Sequence, residues 1–208
     1  MKRLFWILPL CLLFAACGAH TTEPEQLYLV SAIGFDKIDT GIRVVAEVPL
    51  TRENEADKME VCVFAGEGTT IPNALQQMKQ GLGKELFFGH CALAVLGDGV
   101  EDDWLNDILD FLNAEDVPLS ITIISAPNAQ ELLARGSVAA SAAGYEIPDI
   151  LRLQIREGGL SLQCRLYEIE TRKTDFVLPR FEANGMENAA ANRFCGTRNY
   201  RNGMAVTE

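Results

Sequence analysis

The chain is short of histidine, with two in 208 residues, and it contains no Cys-x-x-Cys pair. Its six cysteines, at positions 11, 17, 62, 91, 164 and 195, have neither the paired spacing of a zinc site nor the density of a small disulfide scaffold. Basic residues are scarce as well: 18 Lys and Arg stand against 29 Asp and Glu, for a formal charge of −11 and a pI near 4.7. A surface of that sign repels phosphate and argues against a protein that tracks a nucleic-acid backbone. Missing too is an apolar run of the roughly 20 residues that a membrane-spanning helix needs. What remains is 48% hydrophobic and 23% charged, enough for a real core and too apolar for wholesale disorder. The length suits one domain or one and a half.

The N-terminus carries an address. Lys2 and Arg3 precede an apolar stretch over residues 4–16, which is the layout of a secretory signal. Pro9 within the stretch weakens any reading as a permanent span. The segment closes on Leu13-Phe14-Ala15-Ala16-Cys17-Gly18, which resembles a bacterial lipobox, although Phe14 is bulkier than the Leu usual there. The alternative is an ordinary signal peptide cleaved after an A-x-A-like site, with Cys17 incidental. On the lipobox reading, Cys17 becomes the mature N-terminus and carries a diacylglyceryl group. Two acyl chains at roughly 0.8 kcal/mol per buried CH₂ hold stably where one is marginal. Cleavage removes Lys2 and Arg3 and no acid, so the mature charge becomes −13, which does not favour lying flat on anionic lipid. Residues 18–25 lack apolar periodicity and read as a tether, reaching at most roughly 29 Å.

From residue 27 the pattern is that of strands. Runs over 27–35 and 42–50, rich in β-branched residues and joined by Asp36-Lys37-Ile38-Asp39-Thr40-Gly41, predict a hairpin. A polar loop over 51–58 and a third strand over 59–65 complete an antiparallel meander. Thr69 or Thr70 then caps a helix with Pro72 in its first turn and Ile71, Ala74, Leu75 and Met78 on one face. The segment 86–96 is apolar almost throughout, as a central strand covered on both faces would be. Acidic Glu101-Asp102-Asp103 opens a helix with Trp104, Leu105, Ile108, Leu109, Phe111 and Leu112 on a wide apolar face. A strand over 119–125 follows, then a short helix capped by Asn128. Small residues over 136–144 suggest a linker, and helices are expected over 148–156 and 160–170. Residues 176–179 read as a strand, and 196–206 as a hairpin with an Asn202-Gly203 turn. The fold class is α+β: a mixed sheet with helices packed on it, behind a lipoprotein signal peptide. The organisation is a signal peptide over 1–16, a lipid-anchored tether over 17–25, a domain over 26–180, and the start of a second, truncated domain over 181–208.

Catalytic chemistry finds little support. His20 lies in the tether; His90 precedes Cys91 in an expected strand, where adjacent side chains point to opposite faces, so a half-buried structural histidine is the expectation. Cys62 and Cys91 read as small core residues. Cys164 and Cys195 would be able to pair in an oxidising compartment, which the sequence leaves open. Gly66-Glu67-Gly68-Thr69-Thr70 lacks the Lys and spacing of a phosphate loop. Asp36 and Asp39 lack calcium-loop spacing and read as turn residues. With no nucleophile, metal or cofactor signature, a binding or structural module is favoured over an enzyme.

Ile33-Gly34-Phe35-Asp36-Lys37, Gly66-Glu67-Gly68-Thr69 ahead of Ala74-Leu75, Leu86-Phe87-Phe88-Gly89-His90 and Leu105-Asn106-Asp107-Ile108-Leu109-Asp110-Phe111, in that order, resemble the N-terminal domain of the Ger(x)C family of spore-germination lipoproteins. Phe176-Val177-Leu178-Pro179, Gly196-Thr197 and Asn202-Gly203-Met204 resemble that domain's end and the first hairpin of the next. The similarity spans residues 25–208. Family members commonly have Trp-Asp after the acylated Cys, where this chain has Gly18-Ala19, and they carry further C-terminal domains. The resemblance implies the C subunit of a nutrient germinant receptor, anchored through Cys17 at the outer face of the spore inner membrane beside integral-membrane A and B subunits. It implies no enzymatic activity and no catalytic residue; the absence of a cofactor, a metal site and a nucleic-acid partner is expected from the missing motifs and the acidic charge. A general cell-envelope lipoprotein, acting as a ligand-binding or assembly module, is the competing class.

Overall fold

Strands β1 (Leu27–Leu29), β2 (Ala32–Ile38), β3 (Gly41–Thr51) and β4 (Met59–Gly68) open the fold, and β2, β3 and β4 pair antiparallel as the expected meander. The computed structural model describes residues 26–51, 59–138, 142–157, 164–172, 175–183, 192–201 and 204–206. The β2–β3 turn is tighter than the sequence suggests: Ile38 pairs with Gly41, so only Asp39 and Thr40 form the link. Asp36 thus belongs to a strand and not to the turn. Helix α1 (Ile71–Gln80) begins where expected, with the Thr70 hydroxyl accepting the Asn73 N–H at 3.3 Å and Ile71, Ala74, Leu75 and Met78 buried. Gly66 and Gly68 lie directly beneath it; a Cβ at Gly66 would stand 2.1 Å from the Ala74 carbonyl oxygen. The glycines therefore serve close helix packing on β4.

The apolar stretch 86–96 is not one strand. It divides into β5 (Glu85–Phe87), which pairs parallel with β1, and β6 (Leu93–Gly97), separated by a turn in which Cys91 N–H donates to the Phe88 carbonyl at 2.8 Å. Only β6 is central, and all five of its residues are buried. The next helix is likewise split at Trp104 into α2 (Val100–Asp103) and α3 (Leu105–Ala114). Strand β7 (Thr122–Ala126) is fully buried, and α4 (Ala129–Val138) follows its Asn128 cap, whose side chain accepts the Glu131 N–H at 2.7 Å. This helix runs through residues 136–138, which composition assigns to a linker. Helix α5 (Ala143–Arg156) starts five residues before the expected Pro148, and α6 (Leu166–Arg172) falls at the end of the second expected helix. Strands β8 (Asp175–Ala183), β9 (Asn192–Arg201) and β10 (Met204–Val206) finish the chain, with β9 and β10 antiparallel as expected; the Asn202-Gly203 turn lies outside the described residues.

Among the described residues these strands form an eight-stranded sheet in the order β10-β9-β8-β7-β6-β2-β3-β4, with β2, β6, β7 and β8 mutually parallel. This is the expected α+β mixed sheet, and β8 passes through residue 180 while β9 extends the same sheet. Helices cover both faces. Phe35 meets Phe111 of α3 edge-on at 6.1 Å, whereas its neighbour Gly34 faces Ala129 and Leu133 of α4. The contact at Gly34 is close enough that a Cβ would lie 2.9 Å from that of Ala129.

The packing gives a direct prediction for α3. Ile108 and Leu112 are fully buried, whereas Leu109 and Phe111 are only partly so. Ile108→Ala or Leu112→Ala should each lower unfolding free energy by about 2–5 kcal/mol in chemical denaturation, and Leu109→Ala by less. Equal losses at positions 108 and 109 would contradict the assigned helix face.

Candidate functional site

The mixed sheet has two unlike ends, and both are organised by carboxylates. Asp36, near the end of β2, is 4% exposed, and its two oxygens accept the Ala129 and Gln130 N–H groups at 2.7 and 2.9 Å. With Asn128 this satisfies the first three backbone donors of α4. Glu47 of β3 is fully buried and does the same for α5: Oε2 accepts the Ala143 N–H at 2.7 Å, and Oε1 accepts the Gly144 N–H at 2.9 Å and the Ser31 hydroxyl at 2.7 Å. The local cap residue, Ala142, has no side-chain acceptor to offer. Burial pushes both carboxyls above their ordinary range, and the same N–H donors offset part of that rise.

At the end where β6 and β7 begin lies a cavity of about 560 Å³. Its walls come from Gly89 to Ala92, from Pro118 and Ser120 to Thr122, from one face of α5 at Pro148, Leu151, Arg152 and Ile155, and from Cys164, Arg165 and Glu168. The segment around Arg165 is tied down: its N–H donates to Glu168 Oε2 at 3.0 Å, its guanidinium donates to the Ser120 carbonyl at 3.0 Å, and Tyr167 N–H donates to the Leu119 carbonyl at 3.3 Å. Polar side chains of Arg152, Arg165 and Glu168 face the cavity together with apolar Leu151 and Ile155. Its two thiols are poor nucleophiles, because burial pushes Cys91 up to about 12 and Cys164 up to about 11.

At the opposite end, Asp98 follows β6 and takes a bidentate pair from Arg180 of β8 at 2.7 and 2.8 Å, with Arg198 of β9 bonded to the same carboxylate. Partial burial would raise the Asp98 carboxyl, but the hydrogen bonds and charges of Arg180 and Arg198 outweigh it and hold the group below its ordinary range. This fork joins β8 and β9 to the centre of the sheet.

Cys17, the residue that the sequence singles out for lipidation, lies outside the described residues. His90 is exposed in the turn between β5 and β6, with its ring edge-on to Phe87 at 5.9 Å, and is not a half-buried strand residue. The reason is the break at residues 88–92, which the unbroken apolar composition conceals. Cys91 is in the core as expected, Cys62 is half-buried, and Cys164 and Cys195 are both free thiols. Gly66-Glu67-Gly68 sits in β4, Asp36 caps a helix, and no cluster of three metal-binding side chains exists among the described residues. The tertiary caps, the Asp98 fork and the cavity were all missed. The one available signal was an acid, Glu47, inside the apolar run 44–48.

The fold and its cavity define a mixed-sheet α+β module in which buried carboxylates hold the helices. Residues 20–183, well over half the chain, match the model of the spore germination protein N-terminal domain, and the chain belongs to that family. Membership supports a role in spore germination, in the setting of germinant-receptor subunits and associated with the spore; the family is not a known class of enzyme. No curated protein and no solved structure gives a significant match. No helix among the described residues is long and apolar enough to cross a membrane.

Proposed function

We propose that the chain is the lipid-anchored C-type subunit of a nutrient germinant receptor, acting in germination through protein contacts and without turnover chemistry. The observation that carries this reading is the family match over residues 20–183 directly behind the lipobox-like Leu13-Phe14-Ala15-Ala16-Cys17. Cys17 carries the diacylglyceryl anchor at the outer face of the spore inner membrane, residues 17–25 are the tether, and the working domain begins at residue 26. Integral-membrane A and B subunits are the partners, and no cofactor, metal or nucleic acid is required.

Spores lacking the gene should fail to respond to a subset of small nutrients, and the parent gene should restore the response. Cys17→Ala should leave the chain with its signal segment uncleaved and restore little, and membrane fractionation should show the lipidated form only for the parent. Normal germination on every nutrient, with a defect in growing cells, would assign the chain instead to general envelope lipoproteins. A Cys17→Ala chain processed and held at the membrane like the parent would overturn the anchor.

A further inference from the structure

The distribution of exposed apolar side chains separates the two ends of the sheet. Among the described residues seven large hydrophobics are between 44% and 57% exposed, and six of them, Leu29, Leu119, Tyr145, Leu153, Ile155 and Tyr167, gather at the end where the parallel strands begin. Leu29 lies three positions before the start of β2, and Leu119 three before the start of β7. Tyr167 is bonded through its N–H to the Leu119 carbonyl. Tyr145 follows Gly144, which is held by Glu47, and Glu47 pairs in register with Ala32 at the start of β2. Leu153 and Ile155 lie on α5, which walls the cavity. The seventh, Met204, is on the edge strand β10. The opposite end carries the Lys37–Asp103 pair at 2.5 Å and the Asp98–Arg180–Arg198 fork; the collar's end has charge as well, in the exposed Asp149–Arg152 pair of α5, but it holds six of the seven exposed large hydrophobics.

We infer that this apolar, tyrosine-bearing collar docks on the surface of a phospholipid bilayer. The inference rests on the anchor reading of Cys17 and extends it from attachment to orientation. The argument for lipid as the occupant is the length and exit point of the chain outside the structure. Residues 18–25 reach at most about 29 Å, and they join the domain at Gln26, immediately before β1, on the collar's own end of the sheet. An anchor at Cys17 therefore holds the collar, and not the opposite end, against the membrane. Tyrosine and aliphatic side chains suit the headgroup boundary, where an apolar face sits about 5–10 Å deep. The mature charge of −13 gives no pull toward anionic lipid, so the contact is apolar and should form on neutral lipid.

The test uses the full lipoprotein, made in a host that lipidates it and reconstituted on vesicles of phosphatidylcholine with brominated chains. Trp104 is the one tryptophan left after signal cleavage, so Trp104→Phe supplies a silent background, into which Leu119→Trp, Tyr167→Trp or, at the far turn, Thr40→Trp is introduced. Where Trp104→Phe lowers the melting temperature, the same insertions are read in the parent against its own baseline. Strand β3 alone spans roughly 36 Å, so the two ends are well resolved by a short-range quencher. The expected result is flotation with the vesicles and quenching of the indoles at 119 and 167 by about two-fold or more, with little at 40, consistent with burial at the interface. Flotation with weak or equal quenching at all three positions would overturn docking while leaving the anchor intact. Failure to float would overturn the anchor reading itself. Protection of positions 119 and 167 that arises only on adding the integral-membrane subunits would assign the collar to protein and overturn the lipid assignment.

Discussion

Glu47→Ala is expected to lower unfolding free energy by about 3–5 kcal/mol, a large share of the 5–15 kcal/mol typical of a domain. The substitution strips the acceptors from two buried donors, the Ala143 and Gly144 N–H groups, and leaves the Ser31 hydroxyl only the Glu47 backbone carbonyl at 3.2 Å. Ser31 and Ala143 are both fully buried in the parent, so bulk solvent does not reach them. Helix α5 has no local cap to fall back on, so its first turn should fray and the cavity wall with it. Glu47→Gln keeps one acceptor oxygen but turns an amide N–H₂ toward a backbone donor, and should cost less. The two variants also differ from the parent in pH dependence. The Glu47 carboxyl is raised by burial above its ordinary 4.5, so the folded state holds its proton to higher pH than the unfolded chain does. Its contribution is complete below about 4.5 and is lost as pH rises through the folded value. The stability difference between parent and Glu47→Gln should therefore shrink as pH climbs above 4.5. Asp98 has the opposite sign: its lowered carboxyl contributes above 3.8, and that contribution is lost as pH falls through the folded value. Denaturation of the parent, Glu47→Gln and Asp98→Asn across acid and neutral pH would separate the two; a pH-independent difference at Glu47 would contradict the burial argument.

Gly66→Ala should be nearly as damaging, at about 3 kcal/mol, the upper end of the usual cost of overpacking. The added Cβ would fall 2.1 Å from the Ala74 carbonyl oxygen and 2.8 Å from the Met78 backbone nitrogen. Both are backbone atoms of α1 and cannot rotate away, so the helix must lift from β4 and surrender the burial of Ala74, Leu75 and Met78. Gly83→Ala is the control, because nothing stands within 4 Å of a Cβ there, and it should be neutral or stabilising by up to about 1 kcal/mol. Thermal melts of the two variants should differ widely; similar melting points would mean that α1 does not sit on β4 as closely as described.

Both predictions concern the scaffold that holds the cavity and collar in place, and only part of that scaffold is visible in the sequence. The β2–β3–β4 meander, the Thr70 cap of α1 and the Asn128 cap of α4 are all written in short stretches. Their determinants lie within a few residues of each other: alternation, and a hydroxyl or amide three residues ahead of the N–H it accepts. The family motifs are equally local, and their order carried the resemblance.

The start of α5 shows where local reading ends. Proline at a first turn is a sound signal, and it points to Pro148, yet the helix begins at Ala143 because Glu47, 96 residues earlier, supplies the acceptor that Ala142 lacks. Asp36 reaches Ala129 across 93 residues in the same way. The division of residues 86–96 into β5 and β6 is also a tertiary decision: Ala92 N–H donates to the Ser31 carbonyl and Val30 N–H to the Phe87 carbonyl, so β1 and β2 draw the two halves to different partners. The sequence by itself determined the β2–β3–β4 meander and the caps of α1 and α4, since those depend on neighbours along the chain. Only the tertiary structure decided which buried donors and acceptors meet, because an unpaired N–H at a helix end is satisfied by whatever acceptor the sheet brings to it, from any distance along the sequence.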